Sequence, residues 1–400
     1  MNPSSSGWID KYIFILEKSN ANLAFSDEKK WYASVHRSGF IYGYAVDTII
    51  ELPNNTTKLV EEELTKANLL HTLLAVYSTQ FNNHQPNNVS AIESILGFYT
   101  HFTPRKESFL QKITGSYSSS RLLEQVIHER VTNNKPLLRY PQNKILTHAL
   151  LFVDVLVFRQ YLKNPDNLDV YFNHLESSLF QVLTAALQVK LNRSVYDDLI
   201  VALYKETKQY AATDNTSLKQ AATLFTTVSE QYYILDLCCL ALWEDHTIET
   251  SEKVFIENVA DTLRLQQIVA EERLESLKQF EKAHAKTPTL FYYKHPVKQF
   301  YLQSSKTVKL LILRNKNRLL KELMQSKELL VLLGKSTYKD LDTTEKQKVK
   351  EQLIDICKAV PSLTIFLLPG GSLLLPLLIK FIPQLLPDAF DDNKIPKSKS

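Results

Sequence analysis

The residues that could do chemistry are few and scattered along this chain. Its ten histidines are not grouped with cysteines at metal-ligand spacings, and neither HExxH nor GxSxG occurs. Cys238, Cys239 and Cys357 form neither a CxxC pair nor a disulfide framework, which favours a reducing compartment, and the adjacent pair is typical of small core residues. We therefore expect no enzymatic activity and no cofactor.

Glycine is scarce, and this excludes two large classes of nucleotide site. Only eight glycines occur in 400 residues, and neither GxGxxG nor GxxxxGK[ST] is present. Loops that cradle phosphates need glycine where the backbone approaches a ligand closely. The net charge of +4 gives no overall attraction to nucleic acid, and we expect no DNA partner.

One histidine and one aspartate lie in an almost wholly apolar stretch. His148 and Asp154 belong to residues 144–162, a pattern typical of a helix covered on every side. They are six residues apart and do not share a helix face cleanly. A core histidine and a paired aspartate are favoured over a catalytic dyad.

The elements that must position these residues are helices. Apolar residues recur at three-to-four spacing over 57–81, and the sequence predicts further helices at 89–99, 118–132, 141–163, 168–190, 194–211, 216–243, 250–264 and 266–284. A short hairpin is allowed only near 39–52, where a turn explains Gly39 and Gly43 better than helix dimerisation does. The predicted fold class is all-α, a multi-helix bundle followed by a short apolar, proline-rich helical hairpin.

The sequence suggests three regions, a helical bundle over 1–285, a basic helical connector over 286–334 and a C-terminal module over 335–400. Lysine and arginine dominate residues 282–321, with aromatic residues interleaved. Such a stretch could bind RNA phosphates or an anionic surface, or its lysines could simply face water. The candidate contacts are Lys298, Lys306, Lys309, Arg314, Lys316 and Arg318.

The C-terminal module combines an amphipathic helix with an apolar run. Asp342 and Glu345 have capping-box spacing, and Val349, Leu353, Ile356, Cys357 and Val360 then form one apolar stripe with Lys346, Lys348 and Lys350 turned away. Between Lys358 and Lys380 lie 21 uncharged residues, about 31 Å as one helix, the thickness of a membrane core. The apolar segment 359–387 could cross a membrane, re-enter it or pack inside the protein. We favour association with the membrane.

This run resembles the opening of the conserved domain in the leucine zipper–EF-hand-containing transmembrane (LETM) family. The similarity covers about fifty residues, and the whole chain resembles bacterial proteins described as LETM-related. The positions that match the family pattern are Asp355, Pro361, Pro369, Leu374, Leu375, Pro376, Lys380, Pro383, Leu386, Pro387 and Phe390.

The resemblance implies membrane association, ribosome binding and cation/proton exchange. Ser372 stands where eukaryotic members often have a carboxylate, the group that would carry a proton or cation, and this argues against exchange. The family's ribosome-binding helices follow the motif, whereas this sequence stops at Ser400, so we expect ribosome contact from the basic region 282–321.

Residues 230–265 resemble the paired helices of tellurite-resistance TerB-like domains. That resemblance makes Asp245, Glu249 and Glu252 metal-ligand candidates. Acids at a helix N-terminus, where the macrodipole favours negative charge, are the interpretation we prefer.

The sequence thus predicts a LETM-related, non-enzymatic adaptor that associates with the cytoplasmic membrane and contacts ribosomes. It is not expected to be secreted, because no export signal is visible. A cation/proton exchanger and a soluble helical scaffold are the alternatives.

Overall fold

The computed structural model is helical throughout the part of the chain that it describes. It describes residues 1–19, 21–50, 59–81, 88–102, 118–132, 148–190, 193, 195–210, 225–243, 248–284, 301, 305, 308–309, 311–313, 315–360, 363, 366–367 and 374–386. No strand occurs in these ranges, which confirms the all-α prediction.

The α-helices are numbered here in chain order. They are α1 (Trp8–Lys18), α2 (Glu28–Arg37), α3 (Glu61–Gln80), α4 (Asn88–Phe102), α5 (Ser119–Thr132), α6 (Leu151–Lys163), α7 (Leu168–Val189), α8 (Val195–Tyr210), α9 (Val228–Leu242), α10 (Thr250–Thr262), α11 (Gln267–His284), α12 (Lys316–Gln325), α13 (Lys327–Lys335), α14 (Thr343–Ala359) and α15 (Leu375–Leu385). Most predicted helices are confirmed within a few residues. Of the helix predicted over 216–243, the part from 225 on is described, and α9 begins there at Val228; residues 216–224 lie outside the described residues.

The hairpin allowed near 39–52 is wrong. A 3₁₀ turn, Phe40–Tyr42, occupies this place, and Gly39 and Gly43 close it with φ of +79° and +72°. A Cβ on Gly39 would lie 2.1 Å from the carbonyl oxygen of Tyr44, so no larger residue fits. The prediction of a turn at these glycines is confirmed.

The first hydrophobic core extends from α1 to α11, with α6 in its middle. Every residue of α6 from Leu151 to Phe158 is buried, which confirms the prediction that this helix is covered on all sides. Phe152 packs its ring against those of Tyr32 and Tyr233, with centroids 5.8 and 5.1 Å apart. Cys238 and Cys239 are buried in the same core, as expected.

The paired and covered state of His148 and Asp154 is also confirmed. Arg130 donates to both carboxylate oxygens of Asp154 at 2.8 Å, and the Tyr99 hydroxyl donates to one of them at 2.9 Å. His148 is fully buried, with Nε2 3.2 Å from the carbonyl oxygen of Val131. These two residues therefore belong to the core and do not form a catalytic pair.

The second hydrophobic core joins α12 to α15 and includes Val308 and Ile312 from the basic region. Helix α8 packs against α14 and α15. Leu150 and Ile200 pack against both cores. The C-terminal helices are therefore built onto the preceding helices through α8.

Candidate functional site

Helix α14 begins at a capping box, as the sequence predicts. The amide of Glu345 donates to Asp342 at 2.9 Å, and the amide of Asp342 donates back to Glu345 at 3.1 Å. The two reciprocal hydrogen bonds satisfy donors that a helix start leaves open. This fixes the direction in which α14 leaves the turn that follows α13.

The predicted apolar stripe of α14 is buried, and Lys350 on the same helix is only partly exposed. The five stripe residues, Val349, Leu353, Ile356, Cys357 and Val360, lie in the second core. Lys348 is exposed, whereas Lys350 is half-buried. Burial lowers the pKa of Lys350, and the nearby charge of Glu176 on α7 opposes that shift. Lys350 is thus outside the apolar stripe, and it is only partly exposed because Glu176 of α7 lies nearby.

Helix α15 is short and contains two prolines, of which only Pro376 stands where a helix tolerates proline without losing a hydrogen bond. Pro376 occupies the first turn, whose amides have no helical acceptor, and Pro383 lies in the last turn. Between them Leu377, Leu378 and Ile382 are fully buried in the second core. Helix α14 ends at Ala359 and α15 begins at Leu375, so the uncharged run is not one continuous helix.

The described part of the apolar segment is therefore covered by the chain's own helices. Buried with the residues above are Leu363, Phe366, Leu374, Leu375, Ile379, Phe381 and Leu386. Of the three arrangements considered from sequence, packing inside the protein is the one found in these residues. No helix within the described ranges has the length and apolar character needed to cross a membrane.

The opposite face of α15 lines an open groove of about 620 Å³. The turn after α13 and the start of α14 form its other wall. The lining residues are Ser336, Thr337, Lys339, Asp340, Leu341, Lys346, Pro376, Ile379, Lys380, Pro383 and Gln384. Three lysines and one aspartate converge here, which gives the groove an excess of positive charge.

Neighbouring acids are engaged by lysines outside the groove. Lys335 donates to Glu345, and this hydrogen bond raises the pKa of Lys335 and lowers that of Glu345. Lys348 donates to Glu328 at 2.7 Å, with the same directions of pKa shift in this pair. The negative charges of Glu345 and Glu328 are therefore each balanced by a lysine that does not line the groove.

The groove lysine of α15 has a neutral neighbour from the basic region. Lys380 donates to the hydroxyl of Tyr301 at 3.4 Å, a contact that leaves its charge in place. Lys309 lies over the ring of Phe381, 4.4 Å from its centroid. Residues of the basic region therefore lie directly beside α15.

The family-pattern residues divide into two groups in space. Leu374, Leu375 and Leu386 are buried in the second core. Pro376 and Pro383 are also buried but line the groove, together with the exposed Lys380. Asp355 is exposed and pairs with Lys358 at 3.0 Å. The pattern residues at 361, 369, 387 and 390, and the serine at 372, lie outside the described residues.

The predicted basic contacts are described only in part. Lys309 and Arg318 are exposed, and Lys316 is half-buried at the start of α12. Lys298, Lys306 and Arg314 lie outside the described residues.

The acids near α10 act at a helix start. The carboxylate of Glu252 accepts from the amide of Glu249 at 3.0 Å, which satisfies one of the open donors of this helix. Within the described ranges no three acids, histidines or cysteines are grouped as a metal ion requires. Asp245 lies outside those ranges.

Sequence reasoning missed the groove. Its lysines at 339, 346 and 380 come from three elements, so no local pattern joins them. The available signal was the spacing of Pro376, Lys380 and Pro383, four and three residues apart, which places them on one face of a helix.

Comparison with known families places one domain in the chain. Residues 341–400 match the family described as LETM1-like, RBD, the LETM1-like ribosome-binding domain. This confirms the resemblance of the C-terminal module to the LETM family. Comparison of the chain with curated proteins and with solved structures gives no match.

Proposed function

We propose that this protein is a LETM-related, non-enzymatic adaptor that binds ribosomes through its C-terminal module. The observation that carries the proposal is the match of residues 341–400 to a ribosome-binding domain. The groove fits such a role, since it is lined by lysines from three elements, the turn after α13, α14 and α15. The first core then serves as a rigid helical support.

The state of the reactive side chains supports a non-enzymatic role. Burial raises the pKa of Cys357 to about 12 and that of Cys238 still further. A protonated, covered thiol is neither a nucleophile nor a metal ligand. Asp154, the carboxylate of α6, is buried and accepts hydrogen bonds from Arg130 and Tyr99.

Association with the cytoplasmic membrane stays a prediction from the apolar segment. The described apolar residues of that segment pack into the second core, and the other residues of the segment lie outside the described ranges. Fractionation of cells followed by carbonate extraction tests this point. Recovery of the full-length protein in the carbonate-resistant pellet would support a membrane partner, and recovery in the supernatant would remove it.

Ribosome binding is tested by sedimentation of the full-length protein with purified ribosomes through a sucrose cushion. We expect co-pelleting at about 50 mM salt that declines steeply by about 200 mM, because lysine contacts to phosphate release counterions. Failure to pellet with ribosomes at low salt would contradict the proposal.

A further inference from the structure

We infer that the groove between α15 and the turn 336–341 binds the sugar–phosphate backbone of single-stranded RNA. This inference rests on the proposed ribosome binding and adds the chemical class of the ligand. It assigns Lys339, Lys346 and Lys380 to phosphates and Tyr338 to an exposed base.

The lysines are placed to follow a chain of phosphates. They come from the turn, from α14 and from α15, so they surround the groove and do not form a single row. Lys339 and Lys380 are exposed, and Lys346 is half-buried. An ammonium group is a compact point charge that suits phosphate oxygens from several directions. Asp340 would repel an anion, but the groove lining carries three lysines against this one aspartate, so its formal charge is positive.

Tyr338 lies in the turn between two groove-lining residues, Thr337 and Lys339, with its side chain largely in water. It is 78% exposed, the highest value among the exposed large hydrophobic residues of the described chain. Its backbone is nevertheless ordered, because the amides of Thr337, Tyr338 and Lys339 all donate to carbonyls of Gly334 or Lys335. An uncovered aromatic ring on an ordered backbone, next in sequence to Lys339, is the kind of side chain on which RNA bases stack.

Tyr338 favours RNA over an acidic protein segment. The groove lining contains lysines and no arginine, and lysine point charges suit phosphates and carboxylates alike, so the distinction rests on Tyr338. An acidic peptide carries no planar base that could stack on the Tyr338 ring, whereas single-stranded RNA does. The lysine and tyrosine side chains together therefore indicate a phosphodiester chain with accessible bases.

The inference is tested by fluorescence anisotropy with the full-length protein and a labelled single-stranded RNA 12-mer of mixed sequence. The test variant carries Lys339→Gln, Lys346→Gln and Lys380→Gln. Loss of three phosphate contacts should weaken binding roughly 100-fold at 0.1 M salt and reduce the slope of log K against log salt by about 2. A triple Lys→Arg variant should restore binding.

A matched control carries Lys29→Gln, Lys278→Gln and Lys327→Gln, three exposed lysines outside the groove and outside the basic region. It changes the net charge equally and should bind RNA within about threefold of wild type, because only contacting charges release counterions. Equal weakening in both triple variants would overturn the assignment to the groove.

The stacking part is tested at Tyr338. Tyr338→Ala should weaken binding about 5- to 150-fold, the range expected for one stacked base, and Tyr338→Trp should preserve it. Equal affinity of the alanine variant and wild type would remove Tyr338 from the site. Thermal melting of each variant checks that the fold is intact.

The outcomes separate this inference from the proposed function. Ribosome pelleting without RNA binding, and with the groove variant still pelleting, would overturn the inference and leave the proposed function standing. Binding of poly-glutamate in place of RNA would assign the groove to an acidic protein. RNA binding without ribosome pelleting would support the groove and contradict ribosome binding.

Discussion

The two cores of the molecule treat charge in opposite ways. The first core buries Asp154, Arg130 and Asp236 among its aromatic residues, and Asp236 accepts from the Tyr32 hydroxyl at 2.7 Å. In the second core, among the residues described, Ser305 is the buried polar residue and every other buried side chain is apolar. Its charged side chains lie on the outside of α12 to α15.

The buried charges of the first core help to specify the fold, whereas the exposed charges of α12 to α15 are accessible to a partner. Buried pairs in the first core are surrounded by fixed partners, so they stabilise one arrangement of helices and offer nothing to a ligand. Among the described residues the second core buries no charged pair, and its lysines stay exposed or partly exposed. The following changes test this comparison, from the largest expected effect to the smallest.

Removal of one buried partner in the first core should cause the largest loss. Asp154→Ala leaves the Arg130 guanidinium buried without its carboxylate, and we expect the free energy of unfolding to fall by about 3–5 kcal/mol in urea denaturation. Asp355→Ala, at an exposed pair, should change it by less than about 1 kcal/mol. The double change Arg130→Met with Asp154→Leu should recover part of the loss. Similar effects of Asp154→Ala and Asp355→Ala would refute the contrast.

A cavity in the second core should be the next most costly change. Leu378→Ala removes a fully buried side chain of α15, and we expect a loss of about 2–5 kcal/mol in the same measurement. Val331→Ala, at a 52% exposed position of α13, provides the control and should cost less than about 1 kcal/mol. A neutral Leu378→Ala would show that α15 is not part of a packed core.

A pH effect should arise in the first core. Burial lowers the pKa of His71 to about 4, from an ordinary value of 6.5. Between pH 6.5 and 4 the His71 imidazole binds a proton in the unfolded chain but not in the folded one. The His71 contribution to the free energy of unfolding is therefore fully present above pH 6.5 and falls by up to about 3 kcal/mol as the pH is lowered to 4. His71→Gln should remove this contribution to the pH dependence of unfolding. An unchanged profile in the variant would assign the effect to other groups.

The surface pair of the C-terminal helices should matter least. Glu328 and Lys348 are each about half exposed, and Glu328→Gln should lower the free energy of unfolding by less than about 1 kcal/mol. The loss should disappear at 1 M salt, where exposed charges are screened. A cost above 2 kcal/mol would contradict the view that these charges are not structural.

Local patterns predicted much of this molecule. Helix positions followed from apolar spacing, the start of α14 from Asp342 and Glu345, and the C-terminal domain from a run of prolines and leucines. Whether that run lies in a membrane or in the protein could not be predicted from the sequence, because Leu377 and Leu378 are equally suited to lipid and to a protein core. Only the chain folding back placed them against α12 to α14. Likewise the proximity of Lys350 to Glu176 of α7, and the presence of Lys339 and Lys380 in one groove, depend on residues distant in sequence.

Hydrogen exchange of the full-length protein tests the central claim most directly. If α15 belongs to the second core and the groove is the binding face, amides of α15 should exchange slowly in the free protein. The turn 336–341 should gain protection only when ribosomes are added. Rapid exchange of α15 in the free protein, with protection appearing only on addition of lipid vesicles, would contradict the account.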